Sequence, residues 1–104
     1  MTTQAQIGAG DVDSWVNDWT AWLARKTVEE STPVTIESSS WAATGGLVVA
    51  DSPVPAVFDS DRQTKCWWDA SACEEHDVVT LTNSIVTSAG HERSWTIVMT
   101  VVRR

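Results

Sequence analysis

Tyrosine is absent from this chain of 104 residues, and phenylalanine occurs once, as Phe58. Aromatic chemistry therefore rests on seven tryptophans. Three prolines and five glycines are too few for a disordered or collagen-like chain, so the composition is that of one ordinary globular domain. No apolar run approaches the roughly 20 residues of a membrane span, and no membrane partner is expected. Basic residues are scarce as well: seven against fourteen acidic give a net charge of −7, a field that repels phosphate backbones and argues against nucleic acid. The opening "MTTQAQIGAG" has neither the basic start nor the apolar run of a secretory signal, so a soluble, cytosolically made protein is expected.

Reactive groups are equally sparse. Histidine occurs only as His76, in the acidic run "CEEHD", and His91, and neither neighbours a serine elbow or a glycine-rich phosphate loop. No nucleophile, base and orienting group come together in sequence, and the expectation is a non-enzymatic protein without a cofactor. "CWWDASACEEH" gathers Cys66, Cys73, His76 and Asp77, yet it lacks the closely spaced cysteine pair of structural zinc sites, so no metal is expected. Two reduced thiols, one in a strand and one in a loop, are the simplest reading of the cysteines. A disulfide between them stays open if the intervening segment is a hairpin loop.

What is present is alternation. "VVTLTNSIVT" sets Val79, Leu81 and Ile85 on one face and Thr80, Thr82 and Ser84 on the other. "ERSWTIVMTVV" does the same with Trp95, Ile97, Met99 and Val101, and "TSAGHE" with Gly90 between them has hairpin chemistry. "PVTIESSSW" puts Val34, Ile36 and Ser38 on one side, "GGLVVA" follows a turn signal, and "QTKCWWD" is a short strand. The two prolines of "DSPVPAVFDSD" confine it to an edge or a loop. Short alternating strands at such intervals predict an all-β antiparallel sandwich over residues 14–104. Residues 1–13, small and polar with little periodicity, read as a flexible N-terminal arm.

The tryptophans admit three uses: core, sugar-stacking platform or docking surface. In "DVDSWVNDWTAWLARK", Trp15, Trp19, Trp22 and Leu23 fall on one helical face, whereas Trp15, Trp19 and Leu23 also share one face of a strand. Periodicity alone leans to the helix. Trp67 and Trp68 are consecutive, so in a strand one points to the core and the other outward. Each indole buries roughly 150–250 Å², and core filling is the economical use of most of them.

The order of landmarks resembles a family of short immunoglobulin-like proteins encoded by tailed bacteriophages, described as virion structural proteins or as adaptors between fibre and tail. The matching pieces are "DWTAWL", "SSSWAATGGLVV", "TKCWW" and "TNSIVTSAGHERSWTIVMTV", which together span about residues 15–102. Trp19, Trp22, Leu23, Trp41, Gly46, Leu47, Gly90 and Arg93 correspond by position to the family pattern. The chain departs from that pattern in the acidic loop "DASACEEHD", at Val79 where a tyrosine is common, and at Ala89 and His91 beside Gly90.

The resemblance implies an immunoglobulin-like β-sandwich in which residues 15–24 form a first strand ending in a turn, against the periodicity. Trp15 and Trp19 would then point inward, with Trp22 near the sandwich edge. It also implies a virion protein made in the bacterial host cytoplasm, an adaptor at the tail, head–tail junction or fibre attachment that meets other virion proteins as a symmetric homo-oligomer. Within the same class a capsid decoration or cement protein is the alternative, and a carbohydrate-binding module using exposed indoles is the rival from another class. Trp22, Trp68, Asp69, Glu74 and Glu75 are the expected docking surface, with the arm 1–13 and the loop 69–77 as attachment elements.

Overall fold

In the computed structural model, which describes residues 1–103, the chain is mostly β, two sheets packed as a sandwich with one helix across an end. The strands are β1 (Thr2–Gly8), β2 (Val12–Asp18), β3 (Ile36–Ala43), β4 (Val48–Val49), β5 (Ala56–Phe58), β6 (Gln63–Asp69), β7 (Val78–Thr87) and β8 (Glu92–Val102); helix α1 (Thr20–Glu30) follows β2. The first sheet runs β1-β8-β7-β3. The second runs β2-β6-β4, with β5 also paired to β6. Among the described residues no helix is long and apolar enough to cross a membrane.

The strongest alternating segments form as expected. β7 and β8 make an antiparallel hairpin from Val78↔Thr100 to Val86↔Glu92, and Gly90 turns it with φ of 87°. Val79, Leu81, Ile85, Ile97, Met99 and Val101 all lie inward, because a period of two sends every second side chain to one face. "PVTIESSSW" departs from its simple alternation. A register shift between Ile36 and Ser38 reverses the phase, so Ile36 is buried, Ser38 faces solvent, and Trp41 rejoins the inner side opposite Asn83.

Residues 1–13 are not a flexible arm. Thr2–Gly8 pairs with β8 in parallel, from Thr2↔Thr96 to Gly8↔Val102, so the sheet is not wholly antiparallel. The inward residues of this strand are Thr3, Ala5 and Ile7, and only Ile7 is large and fully buried, which is why its alternation is faint in sequence.

Both readings of the tryptophan-rich stretch fail as wholes and succeed in part. Residues up to Asp18 are strand, and the helix begins at Thr20. Asp18 makes the break: its carboxylate accepts a hydrogen bond from the Thr20 N–H at 3.0 Å, while the Trp19 N–H donates to the Arg62 carbonyl at 3.0 Å. Leu23 N–H then reaches back to the Trp19 carbonyl at 2.9 Å and starts the helical ladder. The helix ends at Ser31, in the left-handed region with φ of 56°. Its inward face is Trp22 and Leu23, so Trp22 is core, not sandwich edge.

The interior has two apolar parts. One lies between the sheets: Ile7, Leu47, Cys66, Trp68, Val79, Leu81, Ile97, Met99 and Val101. The other lies under the helix: Trp19, Trp22, Leu23, Val34, Ile36 and Ile85. Trp19 stands edge-on to Trp22 at 5.8 Å and to Trp95 at 5.2 Å, the geometry favoured by the aromatic quadrupole.

Between the two parts sits a buried polar knot. The Asn83 Oδ1 atom accepts from Thr64 Oγ1 at 2.6 Å, Trp19 Nε1 at 3.1 Å and Asn17 Nδ2 at 3.3 Å. Its Nδ2 atom donates to Ser39 Oγ at 2.9 Å and to the Ser40 carbonyl at 3.0 Å. Asn17 accepts in turn from Trp15 Nε1 at 2.8 Å. Asn83→Ala strips several buried groups of their partner at once, each worth about 1–3 kcal/mol. Urea unfolding of that variant is expected to show a loss of about 3–4 kcal/mol, near the top of the single-substitution range; a loss below about 1 kcal/mol would mean the knot is not what joins the two halves.

Candidate functional site

Of the residues expected to form a docking surface, two are not at the surface. Trp22 is 6 % exposed and Trp68 is 3 % exposed. Trp22 lies under the β7–β8 hairpin, with the Lys26 ammonium 5.6 Å and the Arg93 guanidinium 5.9 Å from its ring and the His91 ring edge-on at 6.5 Å. His91 in turn hydrogen bonds through Nε2 to Glu30 Oε1 at 2.9 Å, clamping the last turn of α1 to the hairpin. Trp68 belongs to the core between the sheets, its indole N–H buried without an acceptor.

The remaining three are separated. Asp69 ends β6 on the outer face of the second sheet, with Oδ1 accepting from the Ser71 N–H at 2.7 Å. Hydrogen bonds from Ser71, its side chain first and then its backbone, hold the Asp69 carboxyl below its ordinary pKa. Glu74 and Glu75 are exposed beyond it, in a loop tied to β8 by the His76 N–H to the Val101 carbonyl at 2.8 Å and by Val101 N–H to the Asp77 carbonyl at 2.8 Å. That loop closes on itself as well: the Glu74 N–H donates to Asp77 Oδ2 at 2.9 Å.

The other sequence landmarks are structural. Trp19, Leu23 and Leu47 are buried and Trp41 is half-buried against the core. Gly46 has φ of 95° and Gly90 has φ of 87°, backbone that favours glycine, while Arg93 serves the Trp22 pocket.

The outward tryptophan is Trp67. On the outer face of the second sheet the pairing sets side chains in rows: Val12, Asp69 and Val48; Ser14 and Trp67; Val16, Lys65 and Ala56; Asp18, Gln63 and Phe58. Trp67 is half-buried at the middle of this grid, with Val12, Val16, Val48 and Ala56 at the diagonal positions that an indole reaches. Val12 is 60 % exposed, Val48 57 % and Val16 43 %. The Lys65 ammonium lies 5.1 Å from the Trp67 ring centre. Asp18 and Asp69 occupy the two end rows of the face, and Asp51, Asp59 and Asp61 are exposed in the loops bounding β4, β5 and β6. Thr20, first through its hydroxyl and then its N–H, keeps Asp18 below the usual carboxylate range.

A signal for this site was present in "QTKCWWD". Gln63, Lys65 and Asp69 share one parity and are polar, whereas Thr64 and Cys66 share the other. Trp67 falls with the polar set, which points it outward.

The thiols lie elsewhere. Cys66 is fully buried on β6 and Cys73 is buried after it, both free. Residues 70–77 cross from one sheet to the other and do not form the hairpin loop that a Cys66–Cys73 bond presupposed. Among the described residues no group of three or more His, Cys, Asp or Glu side chains is placed to hold a metal ion.

No protein family, curated protein or solved structure matches this chain.

Burial pushes the Cys66 thiol up from its ordinary 9.0 to about 12. Burial, and then the Asp77 and Asp69 charges, also raise Cys73. An unfolded thiol ionises first, so each thiol contributes stability that is whole below pH 9 and, for Cys66, lost as pH climbs toward 12. Native protein at pH 8 is expected to leave both thiols unlabelled by an aromatic disulfide reagent on the timescale of minutes, with both reacting at once in denaturant. Rapid labelling of Cys66 in native protein would contradict its place in the core.

Proposed function

We propose that this chain is a non-enzymatic structural protein of a tailed bacteriophage particle, an adaptor at the tail, head–tail junction or fibre attachment. In this reading the sandwich is of the immunoglobulin-like kind, with α1 and the parallel strand β1 as additions to it. The observation that carries the proposal is the outer face of the second sheet, where Trp67 stands among exposed valines with Asp18 and Asp69 at the two ends of the face. Exposed apolar patches with polar rims mark protein contacts, and tryptophan is among the side chains that most often dominate them. The order of sequence landmarks from Trp19 to Arg93 supports the phage assignment.

The partner that fits is another virion protein presenting an apolar centre with a basic rim. Asp18, Asp51, Asp59, Asp61 and Asp69 would steer such a surface and oppose a second acidic copy on this face. The carbohydrate-binding alternative needs exposed indoles; Trp22 and Trp68 are core, which leaves it the half-buried Trp67.

Quantitative mass spectrometry of purified particles, referenced to the major capsid protein, is expected to find a few copies of the chain per particle. Abundance near that of the capsid protein would make it a decoration protein instead, and its absence from particles would end the virion reading. Trp67→Ser is expected to cost only about 1 kcal/mol of stability, because the side chain is half-buried, yet to remove the chain from particles. Retention of the folded variant at the wild-type level would sink the Trp67 face as the docking surface.

A further inference from the structure

The sandwich has four lateral margins, and three of them carry devices that discourage strand pairing. On β2 these are the charged Asp13 and Asp18. β3 has the register shift at Ile36–Ser38 together with Glu37. The margin formed by β4 and β5 is cut into pieces of two and three residues, with Pro53 and Pro55 between them.

β1 carries none of these. Residues 1–10 hold no charged side chain and no proline, and β1 runs in unbroken register over Thr2–Gly8. In a parallel ladder alternate residues turn both backbone groups to the neighbour. Met1 accepts from the Thr96 N–H at 2.9 Å and Ala9 donates to the Val102 carbonyl at 3.0 Å, which assigns the odd-numbered residues to β8. Thr2, Gln4 and Gln6 therefore direct their N–H and C=O groups out of the sheet. Gly8 does not share this opening, because its N–H is held by Asp11 Oδ2 at 2.9 Å. The chain thus ends its free margin by a side-chain cap and leaves three residues of it open.

We infer that this margin is where two copies of the chain join, β1 against β1 in antiparallel register about a two-fold axis. Centring the axis on Gln4 pairs Thr2 with Gln6 of the second copy and Gln4 with its own equivalent, which closes about six hydrogen bonds. The four-stranded sheet becomes one continuous sheet across both molecules. A second copy is the fitting occupant because of charge. At −7, two copies repel over most approaches, but the side chains that meet here are uncharged. The outward positions of the adjoining β8 are Thr96, Val98 and Thr100, and those of β7 are Thr80, Thr82 and Ser84. Hydroxyls on this face already pair with each other, Thr82 with Thr96 at 3.2 Å and Ser84 with Ser94 at 3.0 Å. The interface uses strands remote from Trp67, so it goes beyond the docking reading and does not depend on it.

Sedimentation velocity of the purified protein over roughly 10 μM to 1 mM tests this, a range suited to a small interface. The wild type is expected to move from the 11.4 kDa chain mass toward twice that value. Gln4→Pro removes an outward N–H without touching the ladder to β8, so it is expected to stay monomeric with an unchanged urea midpoint. Thr82→Lys, on the outward face but away from the margin, is expected to dimerise as the wild type does. Hydrogen exchange on the wild type supplies a reading free of mutation: the Thr2, Gln4 and Gln6 amides should slow at least tenfold from the bottom to the top of the concentration range. A wild type monomeric throughout overturns the inference. So does exchange at those amides that ignores concentration, or a dimer lost in Thr82→Lys and kept in Gln4→Pro.

Discussion

The Asn83 carboxamide is the joint on which this fold depends. It sits at the centre of β7, with its oxygen turned to β2, β6 and the entry to α1, and its nitrogen turned to β3. A buried amide is tolerated only when its donors and acceptors are met, and here both N–H groups and the oxygen are engaged. The demand is also a specification. A one-residue slip of β7 against β3 or β8 would send Asn83 to solvent and bury a threonine or serine in its place. The same slip would turn Val79, Leu81 and Ile85 outward, so apolar packing opposes it as well. The amide adds a penalty against a two-residue slip, which keeps the apolar face inward but moves Asn83 away from its partners. The knot also explains why the core is divided: the sheets meet on an aliphatic side, the helix covers an aromatic side, and the amide network occupies the boundary.

The helix belongs to the same arrangement. Trp19 closes it from above, giving its indole N–H to Asn83 and its ring edge to Trp22 and Trp95. Its carbonyl begins the helical ladder through Leu23. One residue thus ends a strand, opens a helix and completes the polar network. The far end of α1 is held by the Glu30–His91 contact, and Lys26 and Arg93 lie over the Trp22 ring that the helix buries.

With the inner faces spent on the core, the outer faces differ from one another. The first sheet presents mainly hydroxyls and amides, with Glu92 at the hairpin end of β8, and its cross-strand hydroxyls satisfy one another. The second presents Trp67, valines and aspartates. A β1 margin without charged side chains suits a copy of the same acidic chain, and an apolar patch with Asp18 and Asp69 at its ends suits a basic partner of another kind. The two surfaces point away from each other, so both contacts can be made at once, as the proposed adaptor requires.

The sequence by itself determined the long alternating elements. β7 and β8 were legible because large apolar residues recur on one parity, Val79, Leu81 and Ile85 and then Ile97, Met99 and Val101, and the Gly90 turn was legible from its chemistry. The parity of β6 groups Trp67 with Gln63, Lys65 and Asp69, yet the docking surface expected from the sequence named Trp68, which the opposite sheet covers. Only the tertiary structure decided the rest. β1 is a strand because β8 offers it a ladder; its own inward Thr3 and Ala5 are too small to announce a buried face. Trp15 and Trp22 belong to different kinds of element because Asp18 captures the Thr20 N–H locally and the Arg62 carbonyl, distant in the chain, captures the Trp19 N–H at the break. Trp22 and Trp68 are core because the hairpin and the opposite sheet cover them. Periodicity reports which side chains share a face, but whether that face meets another element or solvent is a matter of packing between distant segments, and no local pattern encodes it.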